Sequence, residues 1–265
     1  MRIVDVRGRT FDFYQPPRRV VSLVPSLTET LFDLGAGDSV AGITDFCIFP
    51  EDLDRPRVGG TKNPRVAQIR ELAPDLVYMN LEENLARHAE EIEQFAPVFV
   101  TEPKSVDDVE QLFIVLGAIH DLDPSELRLA LNREREAMPK REFTFACAIW
   151  KKPWMWCGGD TYVSNLIEAA GGVNVLRDQK RYPSIDVNDV RADVIFLPDE
   201  PYLFTPDDAA QIEHAKVIGP FPGHLFTWHG SRTILGLRFL HATFTSPTAL
   251  PPTTASSPPP PPSAW

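Results

Sequence analysis

Residues 227–233 read TWHGSRT, which puts an indole, an imidazole, a glycine, hydroxyls and a guanidinium into one short run. Such a set can hold a substrate, ligate a metal or simply build a loop, and residue chemistry alone leaves the three open. Other stretches share its character. KKPWMWCGGDTY (151–162) sets Trp154 and Trp156 beside a glycine pair that lets backbone approach closely, as an aromatic wall against a planar ligand would need. LPDEPYLF (197–204) offers Glu200 and Tyr202, and DFCIFP (45–50), GGTKNP (59–64) and NLEEN (80–84) supply Phe46, Cys47, Phe49, Lys62, Glu82 and Glu83. Cys47 with His224 or His229 and an acid such as Glu82 or Glu83 is a candidate metal set, or a donor to the open axial position of a chelated metal. The spacing matches no closed zinc motif.

Catalytic signatures are missing from the sequence: there is no GxSxG elbow, HExxH, GxxxxGK[ST] or post-strand GxGxxG. A Cys47–His nucleophile would have to be assembled by the fold, and nothing local activates it. The clusters suit surrounding a ligand better than breaking a bond, so the expectation is a binding protein and not an enzyme.

The elements that must position these residues follow a βα rhythm. Residues 3–6 and 11–14 alternate as a hairpin; RRVVSLVPS, SVAGIT, DLVYMN and PVFVT read as strands. Ser26 and Glu29 have the spacing of a capping box opening a helix, and further helices are expected over 66–72, 83–95 and 105–120. Residues 123–138 carry mostly polar residues with spaced Leu and Ala, which predicts a connecting helix between lobes. FTFACAIW, DVIFLP and KVIGP then alternate with helices at 161–170, 207–215 and 231–241. The fold class is therefore α/β, with parallel sheets covered on both faces. The candidate stretches all follow strands, where open α/β sheets bind ligands.

Composition excludes several partners. The 265 residues carry a formal charge of −11 and a pI near 5.0, which argues against nucleic acid and acidic membrane surfaces. No run reaches the ~18 apolar residues of a membrane span, and the N-terminus lacks a secretory apolar core. A cytoplasmic protein is the reading of the chain as written, with a periplasmic or cell-surface site the alternative if a leader has been removed. Three cysteines without a CxxC pair read as reduced thiols. From residue 245 a proline-rich tail cannot build a core and reads as flexible or polyproline, with recruitment of a partner as its functional alternative.

PPRRVVSLVPSLTETLFDLGAG, LAPDLVYMN, NLIEAAGGVNV and TWHGSRT occur in an order that resembles the class III substrate-binding proteins of ABC importers. This is the helical-backbone metal receptor superfamily, which carries cobalamin, haem and ferric siderophores. The resemblance implies two βα lobes, 1–120 and 143–244, joined by one long helix within 121–142, with ligand between them and no covalent cofactor. It places Phe46, Phe49, Trp154, Trp156, Trp228 and Arg232 on the cleft. Members that dock on a permease present one glutamate per lobe. The matching positions here are Ala67 and Asn188, so the resemblance implies weakened docking and leaves a cytosolic storage, sensing or processing protein as an alternative.

Overall fold

The computed structural model describes residues 1–139 and 142–245; most of the proline-rich tail lies outside the described residues. A hairpin of β1 (Arg2–Val4) and β2 (Thr10–Asp12) precedes the first lobe. That lobe runs β3 (Val20–Ser22), α1 (Pro25–Asp33), β4 (Val40–Ile43), α2 (Val66–Glu71), β5 (Leu76–Asn80), α3 (Ala86–Ile92) and β6 (Val98–Thr101). Its four strands are all parallel, in the order β4-β3-β5-β6.

The second lobe runs β7 (Phe143–Trp150), β8 (Met155–Trp156), α6 (Tyr162–Glu168), β9 (Gly172–Asn174), β10 (Val194–Pro198), α7 (Pro206–Ala210), β11 (Lys216–Phe221), α8 (His224–Thr227) and α9 (Arg232–Thr245). β10 lies between β7 and β11, β9 joins the first half of β7, and all these pairs are parallel; β8 folds back antiparallel on the end of β7.

Each central strand is buried on both faces, and successive residues serve opposite layers, as the period of two in a strand requires. In the first lobe Val20, Leu76 and Tyr78 face one layer while Val21, Val77 and Met79 face the other. In the second, Phe145 and Phe196 oppose Ala146, Ile195 and Leu197.

Between the lobes lie α4 (Val106–His120) and α5 (Ser125–Glu136). The span expected as the connector holds the helix α5, and it is α4 beside it whose residues enter both cores. Val109 and Phe113 of α4 enter the second lobe's core, while Leu112, Leu116 and Ile119 enter the first lobe's. Burying Phe113 and Leu116 contributes about 1.5–3 kcal/mol each, so this one helix fastens both cores. Left-handed Asp121 (φ 55°) and Pro124 separate it from α5.

Two boundaries depart from the expectation in ways that matter for function. Ser26 is not a helix cap: Pro25 occupies the first turn, its fixed φ starting the helix earlier. Ser26, Glu29 and Thr30 then share one face at i, i+3 and i+4, and that face meets the second lobe. The helix expected from residue 83 begins only at Ala86. Asn80 and Asn84 claim the intervening backbone: Asn80 Oδ1 accepts from the Glu82 and Glu83 amides (2.8 and 3.3 Å), and Asn84 Oδ1 accepts from the Asn80 amide (2.8 Å).

Candidate ligand cleft between the lobes

The carboxyl ends of both parallel sheets open onto one cavity of about 740 Å³, inside the ~300–1,000 Å³ range of small-molecule sites. The first lobe contributes the turn into α1, the loops after β4 and β5, and Lys62; the second contributes the end of β7, α6 and the loops after β10 and β11. Of the residues expected at the site, Phe46, Lys62, Glu82, Glu83, Glu200 and Trp228 line it.

The lobes are held in register beneath this cavity. The Arg232 guanidinium forms a bidentate pair with Glu29, with Nε 2.9 Å from Oε2, and lies 3.8 Å from the centroid of Phe49. Phe49 belongs to the first lobe, yet it sits edge-on to His224 and Trp228 of the second (5.3 and 5.9 Å). Thr30 Oγ1 accepts from the Ser231 amide at 3.0 Å. Gly230, at φ 82°, brings its backbone against Thr30, where any Cβ would overlap Oγ1. Gly230→Ala therefore combines left-handed strain with a clash, and is expected to lower the melting free energy by about 1–3 kcal/mol in a thermal or urea titration.

His229 is buried and spans the lobes. Asn80 has its amide oxygen fixed by the loop amides, so its NH₂ points at His229 Nε2 (3.2 Å), and Nδ1–H faces Ser26 Oγ (3.4 Å). That arrangement requires the neutral ring, and burial lowers its pKa to about 4. His229 is thus a structural bridge whose two nitrogens are both engaged.

Other expected site residues are likewise in packing roles. Cys47 is fully buried, with Sγ 3.2 Å from both Thr28 Oγ1 and Thr44 Oγ1, and burial pushes its thiol up. Trp156 is fully buried and donates Nε1–H to the Ile185 carbonyl (2.9 Å); Trp154 stacks between it and Phe204, both at 5.6 Å. The tryptophan pair is a core of the second lobe because β8 folds them back under the sheet, and Tyr202 packs there too, 4.8 Å from Phe204. Among the described residues no group of three or more His, Cys, Asp or Glu side chains converges as a metal site. Cys47, His224 and His229 are therefore not a shared ligand set.

Sequence reading also missed lining residues, notably Asp45, Ile48, Ile149, Tyr162, Tyr182 and Thr227. One was within reach. In an extended post-strand loop alternate residues face opposite ways; Phe46 and Ile48 are 59% and 53% exposed while Cys47 is 0%, so the apolar pair marks the cleft side. Arg57 fixes that loop, donating to the Thr44, Asp45 and Cys47 carbonyls (3.0–3.2 Å).

Charge in the cleft is lopsided. Asp45, Glu82, Glu83 and Glu200 face a single lysine. Lys62 Nζ donates to the Glu82 carbonyl, and Arg181 and Tyr182 of the second lobe reach the Glu82 carboxylate across the opening. Burial raises the pKa of Glu83 and of Glu200; for Glu83 the charges of Glu200 and Glu82 add to the effect, partly offset by Lys62.

Residues 20–126 match the family described as "Periplasmic binding protein". The "Vitamin B12-binding protein" of Vibrio parahaemolyticus is 24% identical over 187 residues, 66% of this chain and 68% of that protein. A substrate-binding lipoprotein of Bacillus subtilis is 31% identical over 99 residues, 37% of this chain and 31% of that one. Over residues 20–126 the chain is thus similar to periplasmic binding proteins. The two-lobe architecture is shared with solved structures. The periplasmic vitamin B12 binding protein of Vibrio cholerae superposes with a TM-score of 0.71 at 19% identity, covering 86% of this chain and 96% of that one. A periplasmic haem-binding protein of Pseudomonas aeruginosa gives 0.71 at 19%, covering 90% and 96%.

Proposed function

We propose that this protein captures a metal chelate of the cobalamin, haem or ferric-siderophore class in the inter-lobe cleft, without chemistry, and delivers it to an ABC permease. The observation that carries the reading is the 740 Å³ cavity at the strand ends of both lobes, walled by Phe46, Ile48 and Trp228. Exposed apolar side chains concentrated in a concave site are costly unless something covers them. Relatives named as vitamin B12-binding and structures named as haem-binding support the cargo class.

A place outside the cytoplasm, at the periplasm or cell surface, fits relatives of which some are named as periplasmic proteins and one as a lipoprotein, and replaces the cytoplasmic expectation. Among the described residues no helix is long and apolar enough to cross a membrane. Ala67 on α2 and Asn188 are both exposed, so a docking face without the two glutamates would hold a permease through other contacts. An enzymatic reading through Cys47 and His229 has no support from the site: the thiol is closed off and the imidazole is engaged on both sides.

Absorbance titration with cobalamins, haem and ferric siderophores tests the reading. Saturable binding to at least one is expected, weakened by Trp228→Ala by about 2–4 kcal/mol, the scale of a central aromatic anchor. No binding to any of the three would overturn the ligand class.

A further inference from the structure

We propose that the cleft selects its cargo by charge: it takes a chelate with a neutral, amide-bearing rim and its own axial ligands, and rejects rings whose rim carries carboxylates. The inference rests on the reading that a metal chelate occupies the cleft, and it narrows that class.

The first observation is a pair of acids contributed by opposite lobes. Glu83 follows β5 and Glu200 follows β10, and both line the cavity. Among the described residues neither has a cationic partner within salt-bridge distance. Glu83 accepts no side-chain hydrogen bond, and Glu200 is met only by uncharged donors, Thr227 Oγ1 at 2.9 Å and the Trp228 indole. The cations nearby are committed elsewhere. Arg181 pairs with Glu82, Arg232 pairs with Glu29 below the floor, and Lys62 is turned onto a backbone carbonyl. Gly223 keeps Glu200 in place, since a Cβ there would overlap the Glu200 backbone and Cγ. Partly desolvated carboxylates without a cation keep acceptor capacity for further donors. Amide N–H groups on a ligand rim satisfy them, whereas a carboxylate or catecholate rim adds another negative charge to a space that already holds four acids and one lysine.

The second observation concerns the metal. Among the described residues lining the cavity there is no His, Cys or Met. The two phenols are occupied: Tyr162 Oη lies 2.7 Å from Thr233 Oγ1, and Tyr182 Oη lies 3.4 Å from Glu82. Burial also raises both phenols, against formation of a phenolate. Haem iron is held in proteins by just these residue types, so this cleft suits a chelate whose metal is already saturated.

The test uses the full chain and three probes: cyanocobalamin, a panel of its monocarboxylates in which one rim amide is hydrolysed to an acid, and hemin. Cyanocobalamin is expected to bind most tightly, with at least one monocarboxylate weaker by tenfold or more and hemin weaker still. In Glu83→Gln/Glu200→Gln the penalty on that monocarboxylate should shrink to threefold or less. Hemin binding as tightly as cyanocobalamin, or every monocarboxylate matching the parent, overturns the charge selection while leaving chelate capture intact. Failure of all three probes together with ferric siderophores overturns chelate capture itself. A ligand-free readout stands beside these. Glu83→Gln should raise the melting temperature of the unliganded protein at pH 8, and no rise would show that Glu83 is not an unsatisfied acid.

Discussion

Arg232→Ala is expected to lower the unfolding free energy by about 3–5 kcal/mol, the scale for removing one partner of a buried ion pair. The side chains of Arg232 and Glu29 are only 7% and 11% exposed, so the discount for surface bridges does not apply. Alanine leaves Glu29 unpaired in a site where burial already holds its carboxyl above the usual range in spite of Arg232. It also removes the cation lying on Phe49, which loosens the first-lobe loop seated between His224 and Trp228. Guanidinium titration of Glu29→Leu, Arg232→Met and Glu29→Leu/Arg232→Met closes a double-mutant cycle. The double variant should recover most of the loss, because an apolar pair of similar shape carries no desolvation cost. A loss below about 1 kcal/mol for Arg232→Ala would place the pair in the solvent-exposed class and remove it as the fastening between lobes.

The same pair shows where sequence reading reaches its limit. The alternation of strands and helices was legible because periodicity of burial is a local property: DLVYMN and DVIFLP are buried on both faces and nothing else in the fold changes that. Ser26 and Glu29 satisfied a local rule, the capping box, and the rule was overridden by Pro25 one residue earlier together with partners some 200 positions away. No spacing within the chain encodes that Arg232 lies against Glu29; only the closure of two lobes brings them together. TWHGSRT is legible as important but not as to how. Trp228 lines the cavity, while His229 and Arg232, on either side of the turn at Gly230, face the other lobe. The acids were named from their loops, but their lack of cations is visible only once Lys62, Arg181 and Arg232 are seen to be committed elsewhere. Trp154 and Trp156 misled for a related reason, since an aromatic pair beside glycines reads alike whether it walls a ligand or fills a core.

Acid should separate the lobes through His229. Its folded pKa of about 4 lies below the unfolded value near 6.5, so the folded state keeps the ring neutral while the unfolded chain takes up a proton. The stability this contributes is fully present above pH 6.5 and is lost as pH falls from 6.5 toward 4, at about 1.4 kcal/mol per pH unit for one group. By pH 4.5 the loss from His229 amounts to about 2.5 kcal/mol. A proton on Nε2 would point at the Asn80 NH₂, setting donor against donor, and Asn80 cannot flip because its oxygen holds the Glu82 and Glu83 amides. Buried His120, also held near 4 by burial, adds a parallel loss within the first lobe. The raised acids Glu83 and Glu200 act with the opposite sign, since their contribution is greatest at low pH and is lost as pH rises through their folded pKa values. Comparing the wild type with His229→Gln cancels both backgrounds. Urea titrations at pH 7.0 and 4.5 should show the wild type losing about 2.5 kcal/mol more than the variant. Equal losses would mean that His229 is not held neutral between the lobes. A difference of the expected size would extend to the cleft, because Asn80 is both His229's partner and the residue that shapes the Glu82–Glu83 turn.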